Sequence, residues 1–145
     1  MPHENSENLM KFINLDKELN SIYQKQSKKF EMSETTIMIL YAIRASESGF
    51  TQKEIIDEYL LPKQTVNSAM KKLLNEGKVF VSDKNGREKR FLLTKEGIQM
   101  AGQSADLILE AERKAFFSFT EKEQETLIRL LEMYNSRLED EMNKF

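Results

Sequence analysis

The chain contains no cysteine and one histidine, His3, close to its amino-terminal end. Thiol nucleophiles, Cys/His zinc sites, thiol redox sensing and a Ser-His-Asp triad on the ordered part of the chain are thereby excluded. No tryptophan, two prolines and five glycines in 145 residues, with 32% of the chain charged, leave little turn-forming material and point to a mostly helical protein. The longest uninterrupted apolar run is Ile37 to Ile43, far short of the ~20 residues that cross a bilayer. The sequence opens Met-Pro-His-Glu-Asn, without a basic and apolar leader, so the expectation is a cytoplasmic protein with no membrane partner. There is no net excess of one charge: 22 Lys and Arg face 24 Asp and Glu, a formal charge of −2. Internal repeats and low-complexity tracts are lacking too. At this length one domain (1–145) buries ~70% of the surface of its unfolded chain, and no disulfide, metal or cofactor is expected to hold it together.

What is present is periodicity. Leu9, Phe12, Ile13, Leu19, Ile22 and Tyr23 fall at three-and-four spacing, the pattern of an amphipathic helix. Ser33 is placed to cap a second helix through Ser46, whose centre, Ile37 to Ile43, is apolar on all sides and so buried; a short strand is the alternative there, and length favours the helix. Thr51-Gln52-Lys53-Glu54 is a capping box opening a third helix to about Tyr59. Leu61-Pro62 breaks it, because proline pushes its predecessor out of helical geometry and itself suits the first turn of a new helix. A fourth helix follows over about Lys63 to Glu76, stopped by Gly77. Two helices joined by so short a turn have the spacing of a helix-turn-helix.

After Gly77 the period changes to two. Val79-Phe80-Val81 and Arg90-Phe91-Leu92-Leu93 are β-prone and enclose the turn formers Asp83 to Arg87, which reads as a hairpin. Thr94 then opens one long helix, with Ile98, Ala101, Ala105, Ile108 and Ala115 on one side, ending near Phe116 to Phe119. Thr120-Glu121-Lys122-Glu123 is a second capping box, followed by Leu127, Leu130, Leu131, Tyr134, Leu138 and Met142 at helical spacing. The expected architecture is mainly α, in the order α-α-α-α-β-β-α-α, with a short extra strand before the third helix as a variant.

Chemistry concentrates on the fourth helix. Val66, Ala69, Met70, Leu73 and Leu74 share one face, leaving Lys63, Gln64, Asn67, Ser68, Lys71, Lys72 and Asn75 outside, with no carboxylate before Glu76. Asn and Gln amides pair bidentately with adenine, Ser and Thr bond either kind of base edge, and Lys reaches guanine or phosphate. Residues 63–95 hold nine Lys or Arg and three Asp or Glu, net +6, against thirteen and twenty-one elsewhere, net −8. An acidic chain that gathers its cations on one helix and one hairpin is suited to a polyanion, whose counterions it releases. Lys84, Lys89 and Arg90 add positive charge around Arg87.

The stretch Leu60 to Val79 resembles the recognition helix and following turn of MarR-family regulators. Asp83 to Arg87 resembles that family's wing, and Leu93-Thr94-Lys95-Glu96-Gly97 its Leu-Thr-x-x-Gly lead into the long dimer helix. The resemblance implies an obligate homodimer carrying a winged helix-turn-helix on each subunit and binding a pseudo-palindromic operator in double-stranded DNA, most often as a repressor. It assigns residues 33–94 to the DNA-binding lobe and 5–30 with 95–145 to the helical dimerisation region. Gln64, Thr65, Asn67, Ser68 and Lys71 then face bases or nearby phosphates, with Lys63, Lys72 and Lys89 beside them. Arg87 enters the minor groove and Asp83 supports it. Gly86 departs from the acidic or polar residue that often precedes the wing arginine. The resemblance also implies a small amphipathic or aromatic ligand between dimer helices and lobe, for which Phe12, Tyr23, Met38, Tyr41 and Met100 are the candidate pocket residues; ordinary core packing is the competing reading for each.

Two other functions compete. A winged helix used as a protein-interaction module should present apolar or aromatic anchors on the fourth helix, which instead carries Lys, Gln, Asn and Ser. A small hydrolase lacks a phosphate loop, metal-ligand spacing or a nucleophile-base pair, so no enzyme activity is expected.

Overall fold

The computed structural model describes residues 6–82 and 88–145. Among these the elements run α1 (Ser6–Phe30), α2 (Glu34–Arg44), β1 (Phe50–Thr51), α3 (Gln52–Tyr59), α4 (Lys63–Asn75), β2 (Val79–Ser82), β3 (Arg90–Leu93), α5 (Lys95–Gly102), α6 (Ala105–Phe117) and α7 (Glu121–Met142). The chain divides into two compact units, 1–106 and 107–145.

In the first unit the apolar run becomes helix, not strand: α2 buries Ile37, Ile39, Leu40, Ala42 and Ile43. Around it pack Ile55 of α3, Val66, Ala69, Met70 and Leu73 of α4, Val79 and Phe91 of the sheet, and Ala101 of α5. Leu74, expected on the apolar face of α4, lies at its edge and stays exposed. The short extra strand is real: β1 pairs with β3, and the antiparallel sheet has the order β1-β3-β2 with Val81 and Phe50 both opposite Phe91.

Local chemistry sets the boundaries. The Ser33 hydroxyl accepts from the Thr36 amide and starts α2. Thr51 and Glu54 form the complete capping box of α3, and Thr120 and Glu123 that of α7. Gly77, at φ +70°, supplies the left-handed residue after α4. Thr94 caps α5 by accepting from the Gly97 amide while donating to the Gly77 carbonyl, so one side chain joins the end of α4 to the start of α5.

The long helix expected after Thr94 is broken into α5 and α6. Ser104 is fully buried, and its hydroxyl donates to the Met100 carbonyl at 2.7 Å, while the Gln103 amide is shared between the Gln99 and Met100 carbonyls. A serine that bonds its own helix's backbone, next to Gly102, which stabilises a helix little, gives the chain an alternative to continuing the ladder. The break also turns the expected face: Ala101 and Ala105 are buried, whereas Ile98 is 43% exposed and Ala115 is exposed. Asp106 follows the break and meets Arg44 of α2 at 3.2 Å.

In the second unit α7 is an amphipathic helix that buries no residue fully, and Leu127, Leu130, Leu131, Leu138 and Met142 are exposed on the single chain. The carboxyl of Glu123 is held below the ordinary glutamate range, first by the Thr120 backbone amide and then by its hydroxyl. A depressed folded pKa stabilises above the unfolded value and is lost as pH falls through the folded one. Protection of the amides in the first turn of α7, measured against the intrinsic exchange rate at each pH, should therefore fall on acidification below the usual carboxylate range. In Glu123→Gln that step should be absent.

Candidate nucleic-acid interface

The geometry of α3 and α4 puts one polar surface outside the core. Val66, Ala69, Met70 and Leu73 anchor α4 inward, which leaves Lys63, Gln64, Thr65, Ser68, Lys71 and Lys72 exposed. Asn67 differs from them. It is half-buried, and its Oδ1 accepts a hydrogen bond from Nε2 of Gln52, the first residue of α3. Leu60, in the left-handed conformation at φ 51°, ends α3, and Pro62 precedes α4, so the turn between the two helices is fixed by backbone geometry. The exposed face of α4, Lys63–Asn75, carries no carboxylate; the first, Glu76, stands at its C-terminal cap.

Beside this helix the sheet brings β3 against the start of α3. Arg90 is central to that junction. Its guanidinium lies 3.2–3.3 Å from the Glu54 carboxylate oxygens, 2.9 Å from the Gly49 carbonyl, 3.3 Å from the Ser48 carbonyl and 3.4 Å from Glu88. Arg90 thus acts inside the fold as a clamp between the hairpin root, the β1 turn and the α3 capping box, and its charge is largely neutralised there. The sequence pattern groups it instead with the free cations of the wing. Because five charge-assisted or carbonyl bonds from four residues converge on a three-quarters-buried side chain, Arg90→Ala should cost about 2 kcal/mol in chemical denaturation. Arg90→Lys should recover only part, since a lysine cannot make the forked contact.

Lys89 is exposed beside the clamp. Asp83 and Arg87, expected to form and support the wing tip, lie outside the described residues.

The five expected pocket residues stand on three helices, α1, α2 and α5. Phe12 and Tyr23 sit on the exposed side of α1, Met38 is half-buried on α2, and the Tyr41 ring meets Tyr59 edge-on at 6.4 Å. Met100 alone of the five lines an open cleft of about 500 Å³ that runs between the α1–α2 joint and α4, with Met32, Ser33, Thr36, Ser68 and Lys72 among its other walls. The roles that sequence reasoning missed, those of Gln52 and Arg90, run through partners fifteen and thirty-six positions away in the chain. Among the described residues no cluster of acidic or histidine side chains could hold a metal, and no helix is long and apolar enough to cross a membrane.

A helix-turn-helix with its second helix exposed and polar, followed by a hairpin on a three-stranded sheet, is the arrangement of a winged helix-turn-helix. Residues 32–79 match the family described as winged helix-turn-helix DNA-binding. In fold, the chain is of the MarR type. NMB1585, a MarR family regulator from Neisseria meningitidis, is similar with TM-score 0.72 and 25% identity over 95% of this chain and 96% of that one. A MarR/EmrR family transcriptional regulator from Acinetobacter sp. ADP1 is similar with TM-score 0.70 and 20% identity, over 92% and 97% of the two chains. The MepR chain of an S. aureus MepR–DNA complex gives TM-score 0.70 and 19% identity over 88% and 93%. No curated protein matches by sequence.

Proposed function

We propose that the protein regulates transcription by binding a pseudo-palindromic operator in double-stranded DNA as a homodimer, and that it acts as a cytoplasmic repressor. The observation that carries this reading is the α4 surface: Lys63, Gln64, Thr65, Ser68 and Lys71 exposed without an intervening carboxylate, on a helix anchored by four buried side chains. Base-edge readout falls to Gln64, Thr65, Asn67 and Ser68. Lys63, Lys71, Lys72 and Lys89 serve the phosphates, and Arg87, from its sequence position, reads the minor groove with Asp83 in support. The helical regions 5–30 and 95–145 pair two copies, and the lobe at 33–94 contacts DNA. In this assignment a small amphipathic or aromatic molecule occupies the cleft along α4, where it touches Ser68 and Lys72 and so competes with DNA for the same side chains.

The test is binding to a mixed-sequence duplex across a range of salt. Affinity should fall steeply as salt rises, and Lys71→Ala or Lys72→Ala should each flatten the log-log slope by about 1. An interaction absent or indifferent to salt would contradict DNA binding and favour a protein-interaction module. The wing has its own check. Arg87→Ala should weaken operator binding without loss of folding, and Arg87→Lys should restore it only in part on operators with A·T-rich flanks, because lysine is more strongly hydrated and lacks the planar fork. Full restoration by lysine, with no effect of the flanks in the wild type, would assign Arg87 to loose phosphate contact.

A further inference from the structure

Asn67 is the one polar residue on the outer side of α4 that is half-buried and already bonded within the protein. Its partner, Gln52, stands fifteen residues earlier at the first position of α3, beside the capping box but not part of it, since that box is closed by Thr51 and Glu54. Gln52 is therefore not needed to start its own helix. Nor does Asn67 serve the core, which Val66, Ala69 and Met70 fill from the same turn. Asparagine is a poor helix former, so its presence here is explained by neither propensity nor packing.

We propose that Gln52 is a positioning residue for sequence readout: by donating to Asn67 Oδ1 it fixes which end of the Asn67 amide is presented to the major groove, and the pair reads one base pair as a unit. This rests on the DNA-binding reading given above. The hydrogen-bonding capacity of the two amides is consistent with it. An asparagine oxygen has two lone pairs and its nitrogen two hydrogens. With one lone pair held by Gln52, Asn67 keeps one acceptor site and both donors, the set that adenine needs at N6 and N7. Gln52 keeps its own oxygen and a second hydrogen for a phosphate or an adjoining base. Without Gln52 the Asn67 amide is free to turn over, and a turned amide presents donor and acceptor in the wrong order. The pair so held also arrives at DNA with its rotamer already ordered, which lowers the entropic cost of binding.

Three substitutions separate positioning from simple support of the fold. Gln52→Met keeps length and volume but removes the donor. Gln52→Lys keeps a donor toward Asn67 and adds a charge. Asn67→Ala removes the reader. The measurement is the relative affinity for all four base pairs at each position of the half-site, using duplexes selected by the wild-type protein. Asn67→Ala should abolish the preference at one position. Gln52→Met should reduce the preference at that same position by about two- to tenfold, leave other positions unchanged, and have no further effect on it in the Asn67→Ala background. Gln52→Lys should retain the preference while raising affinity for all sequences. If the wild type prefers a site but Gln52→Met keeps full discrimination at the Asn67 position, or if Asn67→Ala alters no position, the positioning role is overturned and DNA binding stands. A wild type that binds no DNA overturns both.

Discussion

Gly97→Ala should lower the stability of the protein by about 2 kcal/mol or more, although the same change in an unobstructed helix raises it by about 1 kcal/mol. The reason is a backbone contact. A Cβ at Gly97 would stand 1.9 Å from the Lys78 carbonyl oxygen and 2.9 Å from its carbon. Neither atom can yield easily, because that carbonyl accepts from the Thr94 amide at 3.0 Å and Thr94 in turn grips Gly77 and caps α5. The Leu-Thr-x-x-Gly sequence thus has a mechanical meaning: the threonine ties two elements together and the glycine lets α5 pass against the start of β2. Gly102 is the control. Nothing lies within 4 Å of the point where its Cβ would stand, so Gly102→Ala should be neutral or stabilising by up to about 1 kcal/mol. Urea denaturation of both variants decides the matter, and equal stability of Gly97→Ala and wild type would refute the close-approach account.

The second large effect is expected at the surface of α7. Leu127, Leu130, Leu131, Leu138 and Met142 are 38–53% exposed in the single chain, and α1 exposes Leu9, Leu15, Leu19 and Ile22 to a similar extent. Apolar stripes of that length on both terminal helices exceed what an isolated small protein usually leaves to water. In the proposed homodimer they are covered by the second copy. Burying a leucine is worth about 1.5–3 kcal/mol, and two-fold symmetry counts each position twice. Leu131→Asp should accordingly weaken dimerisation by at least two orders of magnitude. Deletion of residues 120–145 should give aggregated or unfolded material. Sedimentation at micromolar concentration reads both, and a wild-type chain that sediments as a soluble monomer, or a truncated chain that stays folded and monomeric, would contradict the pairing.

Much of this fold was legible because its signals are local. The two capping boxes, the Gly77 stop, the Pro62 break and the change of period after Gly77 each involve residues within four positions of one another, and each stands where the sequence placed it. The break between α5 and α6 was not legible, because it depends on Ser104 turning its hydroxyl back onto its own helix while buried, and burial is a property of the assembled unit. The same holds for the interface. The outward lysines and amides of α4 follow from helical periodicity alone. The Gln52–Asn67 and Arg90–Glu54 bonds join residues fifteen and thirty-six positions apart, and no local pattern marks either. Arg90 shows the consequence: composition counts it among the cations available to a polyanion, whereas the structure neutralises it within the fold.

Sequence-specific recognition of DNA by the α4 surface is central to the proposed function. Selection of duplexes from a random pool by the full-length protein at one moderate salt concentration tests it directly. The account predicts enrichment of a site with two-fold symmetry, altered at one position per half-site by Gln64→Ala and at another by Asn67→Ala, while Lys71→Ala lowers recovery without changing the site. A folded protein that recovers the pool with no sequence bias would contradict it.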